Sequence, residues 1–173
     1  PVALADPRGL KIVIIASPKD EAKIREDLNK LKRNPATKQM VYELIKSPKV
    51  ITVKVTPNPD EARFEYKVDE REPRRREIRE GTVYYNPHMA FNLPVADPYL
   101  PHWEATEPVR SLIFIPEVVL AHELGHAYGY DDPPNTEENR RKNFPGENVE
   151  RVENPFRKTL GLPLRPHYFR VRD

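Results

Sequence analysis

The chain has 173 residues, of which 29 are basic and 27 are acidic, so its formal net charge is +2. This near-neutral balance argues against a general surface for polyanions, and we expect no nucleic-acid partner. No apolar stretch reaches the roughly 18 residues that a membrane span needs. The chain contains no cysteine, which excludes disulfides and thiolate metal sites. Its length predicts a single domain over residues 1–173.

Helix and strand patterns alternate in the first half of the chain. Residues 10–16 form a short apolar, β-branched run, which predicts a buried strand. Ser17 and Pro18 are typical of the start of a helix, as N-cap and first helical residue. A second helix is predicted over residues 36–46, where apolar residues recur with helical spacing.

Three further strands are predicted before residue 86. Residues 49–56 and 62–68 alternate between apolar and polar side chains, and the short connection between them predicts a hairpin. Residues 82–85 form another strand. We therefore predict an α+β fold with a small, mainly antiparallel sheet and helices packed on one of its faces.

The second half begins with a segment that lacks periodicity. Residues 86–111 contain five prolines, and a segment of this kind is typically a lid or a substrate-binding loop. Residues 113–130 are apolar almost all round, which predicts a buried helix beginning near Pro116. After a polar connection, a last helix is predicted over residues 147–160.

The buried helix carries the motif His122-Glu123-Leu124-Gly125-His126. Histidines four residues apart lie on one helix face, so both imidazoles can bind one Zn²⁺ ion. Glu123 then lies beside the ion, where it can accept a proton from an attacking water. Buried polar groups need partners, and zinc would supply one. The motif therefore predicts a zinc-dependent endopeptidase that acts on a protein or peptide substrate.

A catalytic zinc ion has three protein ligands, so one further ligand is needed. Asp132 is the local candidate, because it completes the pattern HExxHxxGxxD with Gly129 at the turn. Metzincins have a third histidine at this position, but they also have a methionine turn after the helix, and both methionines here lie upstream. Glu147, Glu150 and Glu153 are the downstream candidates, and their spacing of three residues does not choose among them.

The segments HELGHAYGY and NVERVENPFRKTLGLPLRPHY, with TVYYNP upstream, resemble one known family. They are similar to the NleD-like zinc metallopeptidase effectors of bacterial secretion systems, including the metallopeptidase domains of some type VI secretion spike proteins. The resemblance covers about residues 82–169. The positions that match the family pattern Glu-Asn-x-x-Arg, Gly-Leu-Pro-x-Arg and Tyr are Glu153, Asn154, Arg157, Gly161, Leu162, Pro163, Arg165 and Tyr168.

The resemblance implies a zincin-like domain in which Glu153 is the third metal ligand, with His122 and His126. Tyr168 is the leading candidate to act beside Glu123, by stabilising the negative oxygen that forms during hydrolysis. Other residues would hold a ligand or the substrate in place, and these are Asn154, Arg157, Arg165 and His167.

The resemblance also implies a biological setting. We expect a secreted effector or toxin that is delivered into a target cell, either the cytosol of a host or the periplasm of a rival bacterium. The chain starts at Pro1 rather than at methionine, so we expect an excised or C-terminal domain of a longer protein. A secretion apparatus is then a further partner.

Two other classes of protein fit parts of the sequence. One is a non-catalytic, zinc-stabilised module that recognises a partner protein, and the other is a self-processing or regulatory protease. Glu123 favours hydrolysis over the first alternative, because a structural zinc site has no need of a carboxylate at that position.

Overall fold

The computed structural model describes residues 12–58, 62–66, 77–95, 110–134, 136, 138–139 and 145–166. The strands are Ile12–Ile15 (β1), Ile51–Val55 (β2), Arg63–Tyr66 (β3), Gly81–Tyr85 (β4), Phe91–Val95 (β5) and Arg110–Phe114 (β6). The helices are Pro18–Arg33 (α1), Lys38–Lys46 (α2), Pro116–Ala127 (α3) and Asn154–Thr159 (α4), and a π-helical turn, Val149–Glu153, directly precedes α4. The fold is thus mixed α+β. Among these helices, none has the length and apolar character that crossing a membrane requires.

The main sheet has the strand order β1-β2-β4-β3. Strand β2 pairs in parallel with β1 on one side and with β4 on the other, and only β3 is antiparallel. The predicted hairpin between residues 49–56 and 62–68 is therefore wrong, and so is the predicted mainly antiparallel character. The reason is burial: Val83 and Tyr85 give β4 two fully buried side chains, whereas β3 exposes most of its residues and occupies the edge.

A second, two-stranded sheet begins within the segment, residues 86–111, that was predicted to lack regular structure. Strands β5 and β6 pair antiparallel, and the rings of Phe91 and Phe114 stack with centroids 4.9 Å apart. Pro94 lies in β5, which obscured the strand in the sequence, but proline is tolerated where a strand edge is unpaired. The rest of the predicted lid, residues 96–109, lies outside the described residues.

Helix α3 lies in the core and packs against α1, α2 and β4. Every residue from Val118 to Gly125 is buried, so the predicted buried helix is confirmed. The prediction of the α1 start is also confirmed, because the Ser17 hydroxyl accepts a hydrogen bond from the Asp20 amide. Ile24 and Leu31 on α1 are fully buried in the same core.

The last predicted helix is interrupted by the π-helical turn. Pro155 lies in the first turn of α4. Proline has no amide hydrogen, and its ring crowds the carbonyl four residues earlier in a regular helix. A wider π turn relieves that contact, and such turns are frequent at functional sites. Here the turn buries Val152 and Glu153 against α3.

Candidate metal centre

Helix α3 presents three polar side chains from within the core. The rings of His122 and His126 lie 4.9 Å apart and nearly perpendicular, as expected for residues one turn apart. Glu123 lies between them in the sequence and is only 6% exposed. Its Oε2 atom is buried and has no hydrogen-bond partner among the described residues, and burial raises the pKa of its carboxyl group.

The turn after α3 brings Asp132 back to the two histidines. Gly129 makes this possible, because its φ of 102° lies in the left-handed region and a side chain there would approach the Glu77 carbonyl oxygen to 2.8 Å. The Asp132 Oδ2 atom lies 3.1 Å from His122 Nε2 and 2.9 Å from His126 Nε2. These three residues form a group that could hold a metal ion, with ligand atoms all within 4.8 Å of one another.

The electrostatics of this group favour a positive charge. Burial alone would lower the pKa of His122, but hydrogen bonds to Asp132 and Glu153 raise it to about 10. Burial alone would raise the pKa of Asp132, but the two histidines hold it well below its usual value. A proton is therefore bound tightly where a cation could replace it. Asp132 Oδ1 is also buried and has no partner among the described residues.

Glu153, the ligand that the resemblance implies, lies on the other side of His122. Its Oε2 atom is 3.0 Å from His122 Nδ1, whereas Asp132 and His126 face Nε2. The structure therefore brings Asp132, not Glu153, to the point where the two Nε2 atoms converge. The side chain of Glu153 is fully buried, and hydrogen bonding to His122 with the nearby charge of Arg165 lowers its pKa to about 2 against the opposing effect of burial.

The other residues of the Glu-Asn-x-x-Arg pattern surround Glu153. Arg157 Nε donates to Glu153 Oε1 at 2.7 Å, and Arg165 Nη1 donates to Oε2 at 3.0 Å. The Asn154 amide group bonds to both the backbone N–H and the carbonyl of Arg165, at 2.7 and 2.9 Å. Arg157 Nη1 donates to the Ile113 carbonyl at 2.9 Å. These hydrogen bonds thus connect the Glu-Asn-x-x-Arg segment to the segment around Arg165 and to β6, on the Nδ1 side of His122.

Two of the remaining predicted residues, Glu147 and Glu150, are not part of the group. His167 and Tyr168 lie outside the described residues. Glu150 is exposed, and Glu147 forms an ion pair with Arg151 at 2.9 Å.

Three features of the site were not predicted. Asn148 is fully buried, its Nδ2 atom donates to the His122 carbonyl at 2.9 Å, and the same atom lies 3.3 Å from His126 Nε2. A side chain at Gly125 would come within 1.9 Å of Asn148 Oδ1, so the glycine makes room for the asparagine. His126 Nδ1 bonds to the Tyr130 carbonyl at 2.9 Å. A glycine within the motif was the only available signal, since it often marks a close approach.

Comparison with known proteins adds no relative. No family model, no curated protein sequence and no solved structure matches the chain significantly. The resemblance to secretion-system metallopeptidases therefore stays a prediction.

Proposed function

We propose that the chain is a zinc-dependent endopeptidase with His122, His126 and Asp132 as its metal ligands and Glu123 as its general base. One observation carries the proposal: three donor atoms converge beside a buried carboxylate whose Oε2 atom has no partner among the described residues. Two imidazoles and one carboxylate are a ligand set typical of catalytic zinc, which keeps one position open. The resemblance to metallopeptidase effectors supports a zincin-like fold and a peptide substrate.

The surrounding residues prepare the two histidines for this role. The Tyr130 carbonyl can only accept a hydrogen bond, so His126 Nδ1 carries a proton and the lone pair is on Nε2. Glu153 fixes His122 in the same way. Zinc bound there would polarise the peptide carbonyl and lower the pKa of water at its open position. Glu123 would accept a proton from the attacking water and donate it to the leaving amine.

The raised pKa of Glu123 suits this role. A carboxylate with an ordinary pKa is a weak base at neutral pH, and burial brings the pKa of this one closer to neutrality. Desolvation also strengthens its attraction for a nearby proton. The carboxylate therefore serves the reaction rather than the fold, because the described residues offer its Oε2 atom no hydrogen bond.

The test is Glu123→Gln in the zinc-loaded chain. We expect both proteins to bind one zinc ion, measured by elemental analysis, and we expect the variant to lose activity by about 100-fold or more. Because the substrate is unidentified, activity is measured as new protein N-termini in bacterial and eukaryotic lysates, by mass spectrometry. Glu117→Gln is the matched control, since Glu117 is on the same helix and pairs with Lys30.

The outcomes separate the classes of protein. New N-termini with the wild type and Glu117→Gln, but not with Glu123→Gln, would support the peptidase. If zinc binds and raises the melting temperature while no protein is cleaved, the chain is a zinc-stabilised interaction module. Cleavage confined to the chain itself would indicate a self-processing protease. A wild-type chain that binds no zinc would refute the proposal.

The proposal extends to delivery into a target cell, which is supported by the resemblance alone. The wild type and Glu123→Gln can be produced in the bacterial cytoplasm, the bacterial periplasm and the cytosol of a eukaryotic cell. We expect growth arrest in one compartment with the wild type and none with the variant. Arrest by both proteins would contradict toxicity through peptide hydrolysis.

A further inference from the structure

We infer that Glu153 is a positioning residue, which orients His122 through Nδ1 so that Nε2 faces the metal, and that Arg157 and Arg165 in turn hold Glu153. The inference rests on the proposed metal centre, and it assigns the carboxylate a role other than the ligation implied by the resemblance. Three observations carry it: which nitrogen Glu153 contacts, how its oxygens are occupied, and how Asp132 differs.

The first observation is that the two carboxylates contact different nitrogens of the His122 ring. Glu153 Oε2 lies 3.0 Å from Nδ1, and Asp132 Oδ2 lies 3.1 Å from Nε2. The two nitrogens lie on different edges of the imidazole, so one metal ion binds only one of them. The nitrogen that meets His126 is Nε2. A carboxylate on Nδ1 accepts its proton, which fixes the tautomer and the orientation of the ring.

The second observation is that both oxygens of Glu153 are occupied. Oε1 accepts a hydrogen bond from Arg157 Nε, and Oε2 accepts one from Arg165 Nη1 besides the contact with His122. Both the Glu153 and the Arg157 side chains are fully buried. Two guanidinium groups compensate the buried carboxylate, and removing one member would leave a buried charge without a partner.

The guanidinium groups are themselves fixed in place. Arg157 bridges to the Ile113 carbonyl at 2.9 Å, and its guanidinium lies 4.3 Å from the centre of the Phe114 ring. The backbone of Arg165 is held at both its N–H and its carbonyl by the Asn154 side chain. Glu153 thus has a rigid support that extends from α4 to β6.

The third observation is the contrast with Asp132. Asp132 Oδ2 faces both Nε2 atoms, and its Oδ1 atom is buried without a partner among the described residues. Asp132 is therefore placed to bind an ion, whereas the oxygens of Glu153 are engaged by three cationic or proton-donating groups. The two carboxylates flank His122 and have different roles: Asp132 binds the metal, and Glu153 orients the ring.

The test compares metal affinity and coordination in Glu153→Gln and Asp132→Asn. The zinc Kd is measured by competition with a chelating dye, and coordination is read from the visible absorption of the Co²⁺-substituted chain. For Glu153→Gln we expect the Kd to rise by about 10- to 100-fold, with an unchanged Co²⁺ spectrum at saturation. For Asp132→Asn we expect an altered spectrum or no binding. Glu150→Gln, on the same π turn but exposed, is the matched control.

Two results would overturn the inference. The first is an unchanged zinc Kd in Glu153→Gln. The second is an altered Co²⁺ spectrum in Glu153→Gln together with an unaltered one in Asp132→Asn, which would make Glu153 the ligand. If Glu153→Gln does not fold, as judged by melting in the presence of a chelator, Arg165→Gln replaces it, and we expect a smaller rise in Kd. An unchanged Kd in that variant would equally overturn the inference.

The test is independent of catalysis. A wild type that binds zinc but cleaves no protein would refute the proposed peptidase while leaving the Kd comparison intact. A wild type that binds zinc as tightly as Glu153→Gln would refute only the positioning role.

Discussion

The guanidinium of Arg79 donates to both carboxylate oxygens of Asp131, at 2.6 and 2.9 Å, across 52 residues of sequence. Asp131 directly precedes Asp132, the candidate ligand. The Arg79 backbone N–H also donates to the Ala127 carbonyl at 2.7 Å, at the end of α3. The segment before β4 therefore stabilises the turn that places Asp132 beside the two histidines.

Arg79→Lys should weaken metal binding more than it weakens the fold. Lysine keeps the charge but lacks the planar fork that engages both carboxylate oxygens. Asp131 is about half exposed, so the pair itself contributes little to the free energy of unfolding. We expect the zinc Kd to rise by up to about tenfold, because outer partners orient metal ligands. Dye competition measures the Kd.

The control for Arg79 is Arg63→Lys. Arg63 bonds to Glu65 on the exposed edge strand, in a pair that is also partly exposed. We expect no change in its zinc Kd. Equal affinities in the two variants would show that the bidentate contact does not matter for the turn.

Gly125→Ala should disrupt the site, although alanine is the better helix former. A side chain at this position would lie 1.9 Å from Asn148 Oδ1, and Asn148 is fully buried. Overpacking of this kind costs about 1–3 kcal/mol in the free energy of unfolding, measured by urea denaturation. The double variant with Asn148→Ala removes the clash and should recover part of the loss. Purely additive effects of the two substitutions would contradict direct contact.

The contributions of His122 and Glu153 to the free energy of unfolding should make the metal-free chain most stable at mildly acidic pH. The pKa of His122 is about 10 against an unfolded value of 6.5, so its contribution is complete below 6.5 and is lost as pH rises through 10. The pKa of Glu153 is about 2 against 4.5, so its contribution is complete above 4.5 and is lost as pH falls towards 2. Urea midpoints with a chelator present would test this window.

Bound zinc should reverse the pH dependence of stability on the alkaline side, so that the free energy of unfolding rises with pH instead of falling. Protons compete with the metal for the histidines, so the stabilisation by zinc should grow as pH rises. The same urea midpoints, measured with zinc in place of the chelator, would show the effect. His122→Gln should lose the alkaline dependence in the chelator. A profile in that variant identical to the wild type would place its origin elsewhere.

Tyr85→Phe should lower stability without affecting the metal. The Tyr85 hydroxyl donates to Asp27, a buried carboxylate that also pairs with Lys23 at 2.9 Å. Losing that donor should reduce the free energy of unfolding by about 1 kcal/mol and leave the zinc Kd unchanged. Tyr84→Phe, one residue away on the other face of β4, is the control and should change neither quantity. A shift of the Kd in Tyr85→Phe would link the two regions.

The features of this protein that could be predicted are those that depend only on residues close together in the sequence. The start of α1 follows from Ser17 and Pro18, and the placement of His122 and His126 follows from helical spacing alone. Asp132 belongs to the same group, because the turn at Gly129 brings it back to the motif only six residues after His126. Asp132 was one of the candidate ligands in the sequence, but the resemblance favoured Glu153.

What the sequence did not reveal depends on distant pairing. Strand β4 inserts between β2 and β3, and alternation within a strand does not identify its neighbours. Glu147, Glu150 and Glu153 have equivalent spacing, so only the packed structure distinguishes the one that contacts His122. Asn148 offered no signal, because a buried asparagine in a polar connection resembles a solvated one.

The π-helical turn before α4 has a consequence for how this chain could vary. It contains one residue more than a regular α-helical turn would need to cover the same rise. Deleting that residue would narrow the turn to an ordinary helix without rotating α4 relative to Asn148, because a π turn takes up its extra residue locally. It would, however, bring the Pro155 ring against the carbonyl four residues earlier. A single-codon deletion here would therefore keep Asn148 beside Gly125 and Arg157 aligned with β6 only if Pro155 were replaced as well.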